Sequence, residues 1–303
     1  MKVSIFIGTF FLGIMQNKPI DITHKKIVAP GAVSIQGIRG SFHHIVAKQF
    51  FSDDVDVIEC LSFTETVESL MHGKSEYAIL ALENSIVGSI IPNYALIDEN
   101  NLQIVGEHYL DIQHNLMALP NQGIIDICEV HSHPMALLQC KVFFKNHPHI
   151  KLVEDKDTAE VAQRIKHNNI KGIAAVASSL AAEIFSLDII AKSIQTIKHN
   201  ETRFVVLRRK DSQIADIDYN KASMKFELDH KRGSLAAILN VLSDCKLNLT
   251  KIQSLPKIET PWKYAFFVDV TFESKNDFIK AESIITLMAQ KFKLFGVYKN
   301  ASL

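Results

Sequence analysis

Apolar positions in the first two thirds of the chain fall in short runs separated by longer stretches of helical spacing. Val33-Ser34-Ile35 predicts a strand, Phe42 to Phe51 a helix, Val55 to Cys60 a strand, Thr64 to His72 a helix and Tyr77 to Leu82 a buried strand. This alternation is the signature of an α/β unit in which helices cover both faces of a parallel sheet. The pattern then repeats after a polar break. Leu102 to Leu119 holds two strand-like runs around Asp111-Ile112-Gln113-His114, Pro134 to Phe144 and Thr158 to Lys166 read as helices, and Ile173 to Ala177 as a buried strand. Helix Ser178 to Phe185 and strand Arg203 to Leu207 close a second lobe, so residues 32–210 are expected to form one two-lobed unit.

Asp211 to Asn220 is polar and aperiodic and reads as a linker. Beyond it, over 221–303, Met224 to Leu228 is a strand, Leu235 to Leu242 a helix and Leu249 to Ile258 extended. Tyr264 to Phe272 is then an apolar strand, Phe278 to Phe292 a helix and Leu294 to Tyr298 a closing strand. The order β-α-β-β-α-β is the ferredoxin-like arrangement.

Residues 1–31 stand apart. Met-Lys followed by an apolar run through Phe6, Phe10, Phe11 and Leu12 has the outline of a secretory signal, yet it carries one Lys and no small-x-small cleavage site. It is also too short to span a bilayer. We read it as a leader outside the fold, with Met15 as an alternative start.

The 303 residues exceed what one core serves, and 47% hydrophobic with 22% charged residues is ordinary globular composition. Lys plus Arg equals Asp plus Glu, 33 each, so no basic excess favours nucleic acid or anionic lipid. Cys60, Cys128, Cys140 and Cys245 show no paired spacing, which suits a reducing cytoplasm.

Four polar segments break the apolar pattern where chemistry is expected. Gly37-Ile38-Arg39-Gly40-Ser41-Phe42 follows a strand and opens a helix; it reads either as an anion-binding turn or as a plain capped helix start. It matches neither phosphate-loop nor dinucleotide fingerprint. Leu82-Glu83-Asn84-Ser85-Ile86-Val87-Gly88 ends a buried strand, where side chains point into a crevice or cap the next helix. His131-Ser132-His133-Pro134 precedes a helix carrying Gln139 and Cys140; zinc would need four ligands in tighter pairs, and Cys140 reads as a packed apolar residue. Asn200-Glu201-Thr202-Arg203-Phe204 starts a buried strand where the chain crosses between lobes.

Taken singly, each is open to a structural reading. In this order and spacing they resemble the prephenate dehydratase family, and Gly233-Ser234-Leu235 with Asn248 to Pro256 resembles that family's ACT domain; the likeness runs from Ala32 to Tyr298. The resemblance implies a periplasmic-binding-protein-like (type II) catalytic unit with its site in the cleft, followed by a regulatory ACT domain. It implies decarboxylative dehydration of prephenate to phenylpyruvate without metal or cofactor, phenylalanine as effector, and a homodimer or homotetramer. Thr202, Glu83, Asn84 and Gln139 are the implied catalytic set, and Gly40, Ser41, Ser85, Ser132, His133, Arg203 and Phe204 the substrate-binding set. Arg203 either holds an anion or braces the motif; Glu83 either orients Thr202 or excludes a third anion. The effector segment comprises Gly233, Ser234, Leu235, Gln253, Ser254, Leu255 and Pro256, with Gln253 and Leu255 standing where the family carries Glu and Arg. Arogenate dehydratase and a non-catalytic ligand sensor are the alternatives.

Two chemical demands shape the expectation. Hydroxide leaves poorly, so a donor must face the ring C4 oxygen. Pairing the departing carboxylate with Arg would stabilise the ground state, so neutral donors suit it better.

Overall fold

The computed structural model describes residues 31–210, 218–229, 231–256 and 264–301. The expected leader except Gly31, linker residues 211–217, and the end of the extended segment at 257–258 lie outside the described residues.

The first lobe holds β1 (Val33–Gln36), α1 (Phe42–Phe50), β2 (Val57–Cys60), α2 (Phe63–Met71), β3 (Tyr77–Asn84), β4 (Gly88–Ser89), α3 (Ile91–Glu99) and β5 (Leu102–Asp111). The chain then builds the second lobe from β6 (Asn115–Ala118), β7 (Glu129–Ser132), α4 (Pro134–Gln139), α5 (Lys141–Lys145), β8 (Lys151–Glu154), α6 (Thr158–His167), β9 (Ile173–Ala177), α7 (Ser179–Phe185) and β10 (Asp188–Ala191). It returns to the first lobe as β11 (Glu201–Arg209). The C-terminal domain follows with β12 (Lys221–Glu227), α8 (Ser234–Asp244), β13 (Asn248–Pro256), β14 (Tyr264–Thr271), α9 (Lys275–Met288) and β15 (Lys291–Tyr298).

The first sheet runs β2-β1-β3-β11-β5 and is not wholly parallel as expected. β1 is parallel to β2 and β3, whereas β11 lies antiparallel to both β3 and β5. The reason is topological: β11 re-enters from the other lobe and slots between two strands already running the opposite way. The second sheet, β10-β6-β9-β7-β8, is also mixed: β6, the strand that enters from the first lobe, is antiparallel to β9 and β10, while β7 is parallel to β8 and β9. Serine and aspartate caps start α1, α2, α6 and α7, with Ser41, Ser62, Asp157 and Ser178 each accepting a backbone N–H of the first turn. Such a cap contributes about 1 kcal/mol.

Strand alternation divides the first sheet cleanly. Ile79, Ala81, Phe204 and Val206 pack on one face with Val46 and Ala47 of α1. Leu80, Leu82, Val205 and Leu207 pack on the other with Val67 and Leu70 of α2, Tyr94 and Ile97 of α3, and Phe267, Phe295 and Tyr298 of the C-terminal domain. Helices were expected on both faces; part of the second is instead covered by another sheet. That sheet runs β13-β14-β12-β15, antiparallel throughout, with α8 and α9 on its far side. Contact with the first lobe is backbone-close at Gly296, where a Cβ would stand 1.9 Å from the Ile104 carbonyl oxygen.

One irregularity matters for the site. β11 pairs Arg203 with Glu83 but Phe204 with Ala81, leaving Leu82 as an extra residue on β3. This is a β-bulge, and it reverses which face every later residue of β3 addresses.

Candidate active site

Between the lobes lies a cleft of about 610 Å3. Its walls include Ser41, Phe42 and His43 from the start of α1, Asn84 from the end of β3, and Thr202 and Phe204 from β11. Ile112 and His114 come from the first crossing between lobes, and His133, Gln139, Lys156 and Asp157 from the second lobe.

Thr202 sits at the floor, 6% exposed. Its Oγ1 accepts a hydrogen bond from Asn84 Nδ2 at 2.9 Å. Asn84 is oriented in turn: its Oδ1 accepts the backbone N–H groups of Ile86 and Val87, each at 3.0 Å, so its amide must point Nδ2 toward Thr202. The same Nδ2 donates to Asn200 Oδ1 at 2.7 Å. Asn200 Nδ2 reaches Gln139 Oε1 at 2.9 Å, and that oxygen also meets His114 Nε2 at 2.8 Å. A continuous polar chain therefore runs from Thr202 through both crossings into the second lobe. With its acceptor site occupied by Asn84, and no acceptor for its proton among the described residues, the Thr202 hydroxyl is set to donate into the cleft.

The cleft is sparing of charge. Burial holds His43 down at about 3, and burial also lowers His114 despite its bond to Gln139. Both imidazoles are neutral around pH 7, and His43 Nε2 and His114 Nδ1 find no hydrogen-bond partner among the described residues. Lys156 and Asp157 supply the cleft's formal charges at its second-lobe wall. Burial raises Asp157 against the two backbone N–H groups of α6 that it caps. Cys140 is buried and pushed up to about 12, an inert thiol. Among the described residues, no His, Cys, Asp and Glu side chains group to hold a metal.

The structure brings Thr202, Asn84, Gln139, Ser41, His133 and Phe204 to the cleft and leaves other expected residues out. Glu83 turns its back, because the bulge at Leu82 sends it to the opposite face, where Lys251 of β13 pairs with it. Arg203 holds no cleft anion: alternation buries it on that same face, 3% exposed, with Glu107 at 2.7 Å and Asp269 at 2.5 Å. Ser132 is fully buried and donates to the Val176 carbonyl at 2.6 Å, bracing β7 against β9. Ser85 Oγ accepts the Glu201 N–H at 3.0 Å and ties the turn after β3 to β11. Gly40 joins the lobes: φ is +93°, a Cβ would lie 2.9 Å from Ala181 Cα, and its carbonyl accepts Ser178 Oγ at 2.5 Å. Asn200 was named within its motif but given no role of its own, and His114 and His43 were given none; a polar residue at the end of an apolar run was the available signal for His114, while His43 lies inside α1.

In the C-terminal domain Gly233 caps α8 at φ +85°, and Ser234 and Leu235 line a depression of about 220 Å3 with Asp229, Lys231, Tyr264 and Phe266. Gln253 Nε2 donates to the Ser254 carbonyl, and Pro256 pairs with Tyr264 at the end of β13. Leu255 faces away from the depression and packs against the first-lobe core.

Comparison with known proteins bears on most of the chain, up to 91% of it. The family model for prephenate dehydratase matches residues 33–212. The bifunctional chorismate mutase/prephenate dehydratase of Buchnera aphidicola subsp. Acyrthosiphon pisum (strain APS) is 30% identical over 279 residues, covering 91% of this chain and 72% of the relative. A solved structure of a protein described as a novel type of quorum quenching acylase superposes with TM-score 0.79 at 26% identity, over 88% of this chain and 97% of that one. The prephenate dehydratase of Arthrobacter aurescens, solved in complex with L-Phe, superposes with TM-score 0.80 at 23% identity, over 89% of this chain and 90% of that one.

Proposed function

The chain belongs to the prephenate dehydratase family, and from that premise we propose that it is a carbon–oxygen lyase converting prephenate to phenylpyruvate, carbon dioxide and water. The observation that carries this reading is the Thr202 hydroxyl, fixed as an acceptor by Asn84 and thereby aimed as a donor into the cleft. As the C4–O bond breaks, negative charge grows on the departing oxygen, and a preorganised donor there stabilises the transition state more than the ground state. Donation from Asn84 into the same hydroxyl polarises it and strengthens what it gives. The electrons of the bond to the departing carboxylate enter the ring, carbon dioxide leaves, and the oxygen departs as water after taking a proton.

The rest of the cleft suits that chemistry. Neutral His43, His114, Asn84 and Ser41 surround the floor, so the departing carboxylate meets no guanidinium. Lys156 and His133, on the opposite wall, are placed to hold the pyruvyl carboxylate, which persists in the product. An acylase reading would need an activated nucleophile; Cys140 is inert, and Thr202 is bonded to an amide, not to an imidazole.

The C-terminal domain is read as an ACT module responding to phenylalanine, with Ser234 and Leu235 at its depression. The relative solved with L-Phe supports this, and the reading includes assembly as a homodimer or homotetramer. No helix among the described residues is long and apolar enough to cross a membrane. The deciding experiment incubates the purified protein with prephenate and follows phenylpyruvate. Absence of product would sink the reading, and faster turnover of arogenate in a parallel assay would reassign the substrate. An unchanged rate at millimolar phenylalanine would remove the effector.

A further inference from the structure

The residues that the cleft rejects are joined in a pattern of their own. On β11 and β3, Thr202 pairs with Asn84 and the next rung pairs Arg203 with Glu83. On the C-terminal sheet, Lys251 of β13 pairs with Asp269 of β14. These last two rungs face each other: Arg203 Nη1 meets Asp269 Oδ2 at 2.5 Å, and Lys251 binds the Glu83 carboxylate. Four charges thus make two complementary pairs, each rung carrying one cation and one anion. Surrounding bonds fix the arrangement. Arg203 Nε donates to Glu107 Oε2 at 2.7 Å and its Nη2 to Tyr298 at 2.9 Å, while Lys251 also donates to Ser89 Oγ at 2.6 Å.

We propose that Arg203 and Glu83 are positioning residues, through which the C-terminal sheet holds the strand residues flanking Thr202 and Asn84 and so sets the hydrogen bond between those two. The proposal rests on Thr202 being the donor in dehydration. Its physical basis is the short path. One peptide unit separates Arg203 from Thr202 and Glu83 from Asn84, and strand backbone is too stiff to absorb movement over that distance. A shift of Asp269 or Lys251 therefore reaches the 2.9 Å contact in the cleft.

The charge arrangement allows the hold to be adjustable. Arg203 and Glu107 belong to the first lobe and remain paired if the sheets separate, so loosening the contact strands no unpaired guanidinium. Lys251 also lies on the strand that carries Gln253 to Pro256, the segment expected to sense the effector.

The test uses Lys251→Met, because Lys251 and Glu83 lie at the partly exposed edge of the contact and the variant keeps the buried Arg203 pairs. Two readouts are taken: steady-state kinetics with prephenate, and the side-chain amide resonances of Asn84 by NMR. We expect kcat to fall about tenfold with KM within about twofold, the pattern of a misplaced donor, not of lost binding. The Asn84 amide signals should move, and Lys251→Arg should restore both readouts. A folded Lys251→Met protein with wild-type kcat and unmoved Asn84 signals would overturn the proposal, as would a KM that rises in proportion while those signals stay in place. If the wild type makes no phenylpyruvate, the assigned reaction fails, while the Asn84 signals still decide the clasp.

Discussion

At the scale of single residues, Thr202 is defined by what it accepts. Thr202→Val keeps the shape of the side chain and removes the donor, so kcat should fall about 100- to 1000-fold, the usual cost of losing one preorganised donor. Thr202→Ser should retain most activity; parallel progress curves for phenylpyruvate formation check both. The thiols offer an independent check of the surroundings. Exposed Cys128 should react with a thiol reagent at pH 8, whereas Cys140, buried and pushed up to about 12, should stay unlabelled until the protein unfolds, as mass spectrometry of the labelled peptides would show. Thr202, Asn84 and Gln139 were legible in the sequence as polar residues at strand and helix ends. Glu83 was misplaced because facing direction depends on parity, and one extra residue at Leu82 leaves no mark in a run as uniformly apolar as Ala78 to Leu82; of the two readings of Arg203, its buried position agrees with the bracing one.

At the scale of elements, strong periodicity told true. The strand Tyr77 to Leu82, the helix Thr158 to Lys166 and the β-α-β-β-α-β order of the last domain all appear near their expected bounds. The elements not foreseen are short or weakly patterned. β8 reads Lys-Leu-Val-Glu at a sheet edge, β10 opens on Asp188, and α3 carries Pro92 with apolar residues spread around its circumference. The helix expected over Pro134 to Phe144 breaks at Cys140, which caps α4 and starts α5. Docking of β15 on β5 was invisible beforehand, since it depends on the missing side chain of Gly296. Gly296→Ala would drive a methyl into the Ile104 carbonyl at 1.9 Å, and the C-terminal sheet would have to move off the first lobe. The expected outcome is faster hydrogen exchange in β5 and β15 with little change in the second lobe, measured segment by segment.

At the scale of the molecule, the buried imidazole of His43 couples the cleft to global stability. Its folded pKa of about 3 lies below the ordinary 6.5, so the unfolded chain binds the proton first as pH falls. Stability is therefore complete above 6.5 and declines as pH drops toward 3. By pH 5 the loss from this group is about 2 kcal/mol. His43→Leu should gain that much relative to the wild type between pH 7 and pH 5, read from urea midpoints at each pH; parallel curves for the two proteins would refute it. Connectivity also sets a timetable for synthesis. β11 is an inner strand of the first sheet, yet it is made after the entire second lobe. Until then β3 and β5 present unpaired inner edges, the kind of surface on which partly made chains aggregate. A nascent chain emerging from the ribosome thus has neither a finished first lobe nor a catalytic hydroxyl. Both arrive together with the strand that carries Thr202, so no partly synthesised form can turn over substrate before its fold has closed.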